Sequence, residues 1–222
     1  MVDLIRQYYE TPRNGSDTVF SIWERGEAYL DSVTPSTWDP AYRAWIANLI
    51  EDTIGRNPAA RVLSVGCGNA FVESDLTRRG YDLLAIDICP GAVALARRKG
   101  VSAAEADVNA WQPGRSFNLI YCDGVVGHLF QKDDGCQRVL RRLRSWLDPA
   151  FGSLLVSNDT SLTGQDIQEH PAVQNFFLFS SGYLEHQLAG AGFQAMSSTI
   201  YTYLRPLSGK RSRAVILARY RN

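Results

Sequence analysis

One stretch decides the fold: Arg61-Val62-Leu63-Ser64-Val65-Gly66-Cys67-Gly68-Asn69-Ala70. Its first half is a short apolar run, typical of a strand that is buried on both faces of a parallel sheet. Two glycines follow, and a glycine lacks the Cβ atom that would hold a ligand away from the backbone. A helical pattern starts at once at Phe71. A strand, a glycine turn and a helix N-terminus together predict a binding site for a small molecule.

The glycine spacing narrows the choice of ligand. A dinucleotide fingerprint has a third glycine three residues after the second, and Phe71 occupies that position here. The spacing therefore disfavours a nicotinamide or flavin dinucleotide. Two alternatives stay open on this turn alone, a nucleoside-like ligand without a pyrophosphate and a tight turn that binds nothing.

Bulk properties limit the class of protein. The chain has 222 residues and a formal net charge of zero, so we expect one compact unit without a nucleic-acid or membrane partner. The four cysteines show no Cys-x-x-Cys spacing, which argues against a disulfide framework and a metal site. The N-terminus lacks the basic-then-apolar order of a signal peptide, and no apolar run is long enough to span a membrane. We expect a cytoplasmic protein that acts as a monomer or homodimer.

From residue 61 onward, strand and helix patterns alternate. The predicted strands are Arg61–Val65, Asp82–Ile86, Val101–Glu105, Phe117–Cys122, Ser153–Ser157, Phe193–Leu204 and Arg213–Tyr220. The predicted helices are Val19–Leu30, Pro40–Ile54, Phe71–Arg79, Gly91–Lys99, Asp133–Leu147 and Tyr183–Ala189, and residues 160–179 read as irregular. This order predicts a three-layer, doubly wound α/β fold with a mostly parallel sheet, in which a final hairpin makes the last strand antiparallel. We expect residues 1–57 to form a helical cap or lid and residues 58–222 to form the ligand-binding domain.

Acidic residues follow four of the predicted strands. In open α/β sheets ligands bind beyond the carboxyl ends of the strands, where Asp87, Asp107, Asp123 and Asp159 are expected. Each could alone be a turn or capping residue. An acid at the end of the second strand can accept both hydroxyls of a ribose, which selects a nucleoside. Ile88 next to Asp87 offers an apolar face for a purine.

These features resemble the class I S-adenosylmethionine (SAM) dependent methyltransferases. The resemblance covers roughly residues 58–222. It rests on the Val62–Gly68 turn, Asp87, the Asp107-Val108 pair, the strand Phe117–Cys122, the helix Val139–Leu147 with Pro149 and Gly152, and Gly190-Ala191-Gly192-Phe193. It implies a seven-stranded sheet whose last strand is antiparallel, and SAM as the cosubstrate.

The resemblance also implies roles for individual residues. Gly66, Cys67 and Gly68 would approach the methionine part of SAM, and Asp87 with Ile88 would hold the ribose and the purine. Asp107 would accept from the adenine amine, Val108 would present a backbone donor, and the backbone at Asp123 would meet the amino group. Tyr9 and Arg13 lie outside the part of the chain that the resemblance covers, in a stretch with Tyr8 that looks flexible in the sequence. They are predicted to reach SAM as part of a lid, and the alternative for the N-terminal segment is a helical layer packed on the sheet. Ala70 replaces the third glycine that is common in the family, and Asn118 stands where many members have aspartate.

The chemistry opposite the methyl group is less determined by sequence. His128 follows the fourth strand and titrates near neutral pH, which makes it a candidate general base, although it is also a candidate packing residue. Asp159 is a second candidate catalytic residue, to orient an amine or hydroxyl. The aromatic run Asn175–Phe179 and the lid tyrosines could wall a dry pocket, in which aromatic faces stabilise a sulfonium.

The function that follows is methyl transfer from SAM to an oxygen or nitrogen atom of a small molecule, of the kind found in secondary metabolism. One alternative is a SAM-using synthase of the same fold, similar to azetidine-2-carboxylate synthases. Such an enzyme cyclises the aminocarboxypropyl chain of SAM and releases methylthioadenosine. A second alternative is a non-catalytic SAM-binding protein.

Overall fold

The chain forms one seven-stranded sheet flanked by helices, in a computed structural model that describes residues 2–13 and 15–221. The strands are β1 (Arg61–Val65), β2 (Asp82–Asp87), β3 (Ser102–Glu105), β4 (Leu119–Asp123), β5 (Ser153–Asp159), β6 (Ile167–Glu169), β7 (Phe177–Phe179), β8 (Phe193–Arg205) and β9 (Gly209–Tyr220). The helices are α1 (Val2–Glu10), α2 (Val19–Glu24), α3 (Pro35–Trp38), α4 (Pro40–Thr53), α5 (Phe71–Arg78), α6 (Pro90–Arg98), α7 (Val126–Leu129), α8 (Gln137–Trp146) and α9 (Ser181–Gly190).

The strand order in the large sheet is β3-β2-β1-β4-β5-β9-β8. β1 to β5 pair in parallel, whereas β9 runs antiparallel to both β5 and β8. The predicted doubly wound sheet with an antiparallel last strand is thus confirmed. The order reverses between β1 and β4, and such switch points open a crevice at the carboxyl ends of the strands.

Two apolar layers cover the sheet because side chains alternate across each strand. Val62 of β1 packs against α4, α5 and α6, while Leu63 and Val65 face α8 and α9. Helix α4 starts at Pro40 because Asp39 caps it: the Asp39 carboxylate accepts from the amide of Ala41 at 2.9 Å, and proline occupies the first turn. The sequence of β1 thus accounts for burial on both faces.

The N-terminal region differs from its prediction in two ways. The helix expected over Val19–Leu30 ends at Glu24, because Gly26 takes a positive φ and the indole of Trp23 donates to the carbonyl of Ser32 at 2.7 Å. The stretch that carries Tyr8 and Tyr9 looked flexible in the sequence, yet it forms α1. Its aromatic rings pack on α2, and these tertiary contacts stabilise a helix of 9 residues, which is too short to be stable alone.

Two further features bear on the predicted division of the chain. α4 shares an apolar cluster with β1 and α5, so it packs into the sheet domain although it lies within the predicted cap. The segment 160–179 contains the two-stranded β6–β7 sheet instead of being wholly irregular. The predicted ranges 1–57 and 58–222 stay a prediction, and residues 1, 14 and 222 within them lie outside the described residues. No helix of the described chain is both long and apolar enough to cross a membrane.

Candidate active site

A large cavity lies at the carboxyl ends of β1, β2 and β4, and its space including the mouth is about 1080 Å³. The sequence-predicted residues that line it are Tyr9, Gly66, Cys67, Gly68, Asp87, Ile88, Asp107, Val108, Asp123 and His128. The fold therefore brings together ten of the twelve residues that the sequence singles out.

The glycine turn forms the floor of this cavity. Gly66 has a φ of +71°, and a Cβ there would lie 2.6 Å from Cγ2 of Val125, so only glycine fits. Gly68 faces open space, since the nearest atom to a Cβ there would be Cε1 of Phe20 at 4.0 Å. A side chain at position 68 would thus fill the cavity. Ala70 adopts the left-handed conformation, with a φ of +52°, in which a glycine would be less strained.

Asp87 links the end of β2 to the glycine turn. Its two oxygens accept from the amides of Gly68 and Cys89, each at 2.9 Å. Burial raises the pKa of this carboxyl, and the backbone donors oppose that effect. Each oxygen keeps a free lone pair, so Asp87 can still accept from two hydroxyls of a ligand.

The opposite wall suits a planar apolar ring with polar edges. Ile88 and Val108 lie on this wall, and Asp107 accepts from the amide of Asn109 at 2.8 Å. These residues fit the purine end that the sequence predicts for this side of the cavity.

A buried ionic network supports the end of β4. Asp123 accepts from the hydroxyls of Tyr42 at 3.2 Å and Tyr121 at 3.1 Å, and it is paired with Arg213. Arg213 is fully buried, and its Nε donates to Oδ1 of Asp159 at 2.8 Å. The antiparallel register explains the second contact, because it places Asp159 directly opposite Arg213.

α1 covers the cavity and is referred to below as the lid helix. Arg6 donates to the carbonyl of Ile88 at 2.9 Å and pairs with Glu105, while Glu10 accepts from the amide of Gly91 at 2.6 Å. These contacts hold the lid helix against the loop that follows β2. They place the ring of Tyr9 over the cavity.

Tyr9 and His128 meet inside the cavity. The Tyr9 hydroxyl lies 3.0 Å from Nε2 of His128, and the ring of Tyr9 stacks on Phe20 at 5.4 Å between centroids. Phe176 packs against the other side of His128 at 4.7 Å, and Trp23 contacts Tyr9 edge to face. Burial lowers the pKa of His128 to about 4, so its imidazole is neutral at pH 7. The aromatic residues that the sequence predicts around the pocket thus contact one another and His128.

Two predicted site residues lie elsewhere. Arg13 donates to the carbonyl of Tyr8 at 3.2 Å and stacks over Tyr29, and it does not line the cavity. Asp159 is buried behind the cavity wall, where Arg213, Arg205 and the Tyr203 hydroxyl occupy its oxygens. From this position Asp159 orients the two arginines, and it is not placed to contact a methyl acceptor in the large cavity.

Several residues of the site escaped the sequence reasoning. They are Thr34, Ser36, Thr37, Asn69 and Glu73 in the large cavity, and Arg205 and Arg213 in a smaller cavity beside it. His170 also lines the smaller cavity, although its place before Pro171 favours a surface loop in the sequence. One signal could have identified Arg213, because a charged residue directly before the apolar run 214–218 is expected to be paired inside the fold.

Glu73 should make stability depend on pH. Burial raises the pKa of this carboxyl to about 7, against a hydrogen bond of 2.5 Å from the Ser64 hydroxyl. A folded pKa above the unfolded value of 4.5 means that the folded state binds the proton more tightly. The free energy of unfolding therefore falls as the pH rises between these two values.

We expect Glu73→Gln to be more stable than the parent by about 2–3 kcal/mol near pH 8, and equally stable near pH 4. Urea denaturation across this range measures the difference. A stability difference that does not change with pH would contradict the raised pKa of Glu73.

Comparison with known proteins supports the resemblance to methyltransferases that the sequence indicated. The family model described as "Methyltransferase domain" matches residues 39–198. The chain is 36% identical over 220 residues to a "Tabtoxin biosynthesis enzyme" of Pseudomonas amygdali pv. tabaci, covering 96% of this chain and 86% of that protein.

Solved structures share the fold. Magnesium protoporphyrin IX methyltransferase from Synechocystis PCC 6803, with bound SAM, has a TM-score of 0.68 at 16% identity and covers 100% of this chain and 97% of that one. The Burkholderia thailandensis 1,6-didemethyltoxoflavin-N1-methyltransferase has a TM-score of 0.66 at 23% identity, covering 83% and 80%.

The cavity fits SAM on its own chemistry. Gly68 leaves space that a side chain would fill, Asp87 offers two acceptors, and aromatic rings surround the end of the cavity near His128. With the family match over most of the chain, this geometry identifies the protein as a member of the class I SAM-dependent methyltransferase family.

Proposed function

We propose that the enzyme methylates an oxygen or nitrogen atom of a small molecule of secondary metabolism, held between the lid helix and the ends of β4 and β5. SAM supplies a methyl group that is already activated on a sulfonium. The protein then has to orient the acceptor, exclude water and remove a proton, and orientation alone can supply on the order of 7–11 kcal/mol.

One observation carries the proposal. The large cavity and the smaller cavity share Tyr9, Trp23, Thr34 and Gly124 as lining residues. A second compartment therefore adjoins the cosubstrate site, and Tyr9 of the lid helix lines both. The compartment is small, about 330 Å³ including its mouth, which favours a small acceptor over a protein or nucleic acid. The role of the 36% identical relative in tabtoxin biosynthesis supports an acceptor from secondary metabolism.

The Tyr9–His128 pair is the proposed proton acceptor. His128 is 6% exposed and neutral at pH 7, so its Nε2 can receive the proton of a methyl acceptor bound beside Tyr9. The proton reaches Nε2 directly, or through the Tyr9 hydroxyl, which passes its own proton to Nε2 as it takes one from the acceptor. We expect His128→Asn to lower the turnover number by about 10²–10⁴-fold and to change SAM affinity less than about threefold.

Tyr9→Phe is the matched control, because it removes the hydroxyl and keeps the ring. We expect an intermediate loss of turnover from it. Equal losses of SAM affinity and of turnover in His128→Asn would show that His128 supports the fold and is not the base.

Mass spectrometry tests the overall reaction. Purified protein is incubated with SAM and a panel of small amines, phenols and carboxylic acids. A product heavier by one methyl group, formed together with S-adenosylhomocysteine, is the expected result. Failure to form either product with any acceptor, while SAM binds, would favour a non-catalytic binding protein.

The small size of the second compartment favours one other candidate. In the cyclisation, the amino nitrogen of the aminocarboxypropyl chain displaces methylthioadenosine. An N–C bond forms as the C–S bond breaks, and the nitrogen gives up one proton. Methylthioadenosine released from SAM alone, and lost in His128→Asn, would identify this reaction.

A further inference from the structure

The smaller cavity has a wall of unusual composition. Its lining residues include Gly124, His170, Arg205 and Arg213. The charged side chains among them are both arginines, and no carboxylate of the described chain is among them. Asp159 pairs with both arginines and Asp123 pairs with Arg213, but neither acid lines the smaller cavity.

Arg213 points an unused donor at this cavity. Its Nε and Nη1 bind the two acids, whereas Nη2 has no hydrogen-bond partner in residues 2–13 and 15–221. A Cβ on Gly124, which lines both cavities, would lie 3.3 Å from Nη2. Nη2 therefore lies beside the glycine that the two compartments share, in a fully buried side chain. A buried donor of this kind is nearly always paired.

His170 supplies a second donor by a tautomer argument. Its Nδ1 accepts from the amides of Ala172 at 3.1 Å and Val173 at 3.0 Å. Burial lowers the pKa of this imidazole to about 4, so the ring is neutral at pH 7 and its proton resides on Nε2.

Nε2 of His170 lies 3.3 Å from Nη1 of Arg205. Both atoms carry hydrogen in this tautomer, and two donors do not satisfy each other. A shared acceptor between them would satisfy both. Arg213, Arg205 and His170 all line the smaller cavity, so the three donors belong to residues of one wall.

We propose that the smaller cavity binds a carboxylate, with Nη2 of Arg213, Nη1 of Arg205 and Nε2 of His170 as the donors. A carboxylate has two oxygens that accept in several directions, and arginine forks match them. The inference rests on the proposed function. The carboxylate belongs either to the acceptor or to the amino-acid end of SAM, and the two sources are separated by experiment.

The first arm tests the carboxylate of SAM. The protein is titrated calorimetrically with S-adenosylhomocysteine and with its decarboxylated analogue. If the cavity holds this carboxylate, S-adenosylhomocysteine binds tighter by at least about tenfold, as expected for a charge-assisted hydrogen bond. His170→Leu should reduce that ratio, whereas His186→Leu, at an exposed histidine of α9, should not.

The second arm tests the carboxylate of an acceptor. Protein saturated with S-adenosylhomocysteine is titrated with small carboxylates and with the matching amides. If the acceptor is the source, the protein binds a carboxylate but not its amide. This binding should be lost in His170→Leu and in Arg205→Met, and it should be kept in His186→Leu. Thermal melting of each variant verifies that it is folded.

The proposal is overturned if wild-type protein binds S-adenosylhomocysteine and its decarboxylated analogue equally and also prefers no carboxylate over its amide. That result is compatible with methyl transfer, so it leaves the proposed function standing. Loss of all S-adenosylhomocysteine binding would instead contradict the proposed function, and the carboxylate and amide titration of the free protein would then decide the inference.

Discussion

Asp87→Asn should weaken SAM binding by about 10²–10³-fold, the largest effect on affinity that we expect from one side chain. The proposed role of Asp87 is to accept two ribose hydroxyls, and hydrogen bonds to a charged group contribute about 1.5–3 kcal/mol each. The amide keeps one acceptor oxygen and adds two donors, so it can satisfy only part of the ribose edge. Calorimetric titration with SAM measures the change.

Asp82→Asn is the matched control for this measurement. Asp82 lies at the other end of β2, where it pairs with Arg115 on the surface at 2.7 Å. We expect its removal to leave SAM affinity unchanged, because surface ion pairs contribute about 0–1 kcal/mol to stability and this one is remote from the cavity. Equal affinities of Asp87→Asn and the parent would refute the ribose role.

Arg213→Leu should lower the free energy of unfolding by about 3–5 kcal/mol, because it leaves Asp123 and Asp159 buried without their shared cation. Burial alone would lower the pKa of Arg213, but Asp159 and Asp123 outweigh it and hold the pKa well above its ordinary value. A loss of this size lowers the melting temperature by roughly 10 °C in a chain of this length.

The same substitution has a pH signature. Arg213 and Arg205 lower the pKa of Asp159 against the effect of burial. The stability that Asp159 contributes is therefore present above its ordinary pKa of 3.8 and is lost as the pH falls through the lower, folded value. Without Arg213 the folded pKa of Asp159 rises, so the stability deficit of Arg213→Leu should shrink as the pH is lowered from about 8 to about 5.

Arg219→Leu controls for the loss of an arginine from β9. Arg219 is exposed and bonds the Ser153 hydroxyl at 3.2 Å, so we expect a change within about 0.5 kcal/mol. Urea denaturation of both variants makes the comparison. Equal stabilities of Arg213→Leu and Arg219→Leu would show that the buried network does not stabilise the fold.

Most of the sheet could be predicted because its information is local. β1 is recognisable from a short apolar run before Gly66, and the hairpin of β8 and β9 from the polar turn at Ser208-Gly209. The ends of elements were less predictable, since α2 stops at Glu24 for reasons of packing around Trp23. The lid was expected, but the helix Val2–Glu10 was not among the predicted helices, because a segment of 9 residues depends for its stability on contacts such as those with α2.

The SAM side of the candidate site was predictable for the same reason. Gly66, Asp87 and Asp107 follow their strands directly, so chain order alone places them at one edge of a parallel sheet. On the other side the sequence predicted the residues Tyr9 and His128 and the run 175–179 but not their mutual contacts, because they come from the lid helix, α7 and the loop before β7. No local pattern links residues that far apart in the chain.

The sequence by itself determined the fold class, the cosubstrate and the residues of the glycine turn, because each depends on residues that are neighbours in the chain. The tertiary structure alone decided which groups line the two cavities. It turned Asp159 away from the cavity and toward Arg213, a pairing that needs the antiparallel register of β5 and β9. Long-range register and packing set the direction of a side chain, and direction decides whether a carboxylate contacts a substrate or neutralises a neighbouring arginine.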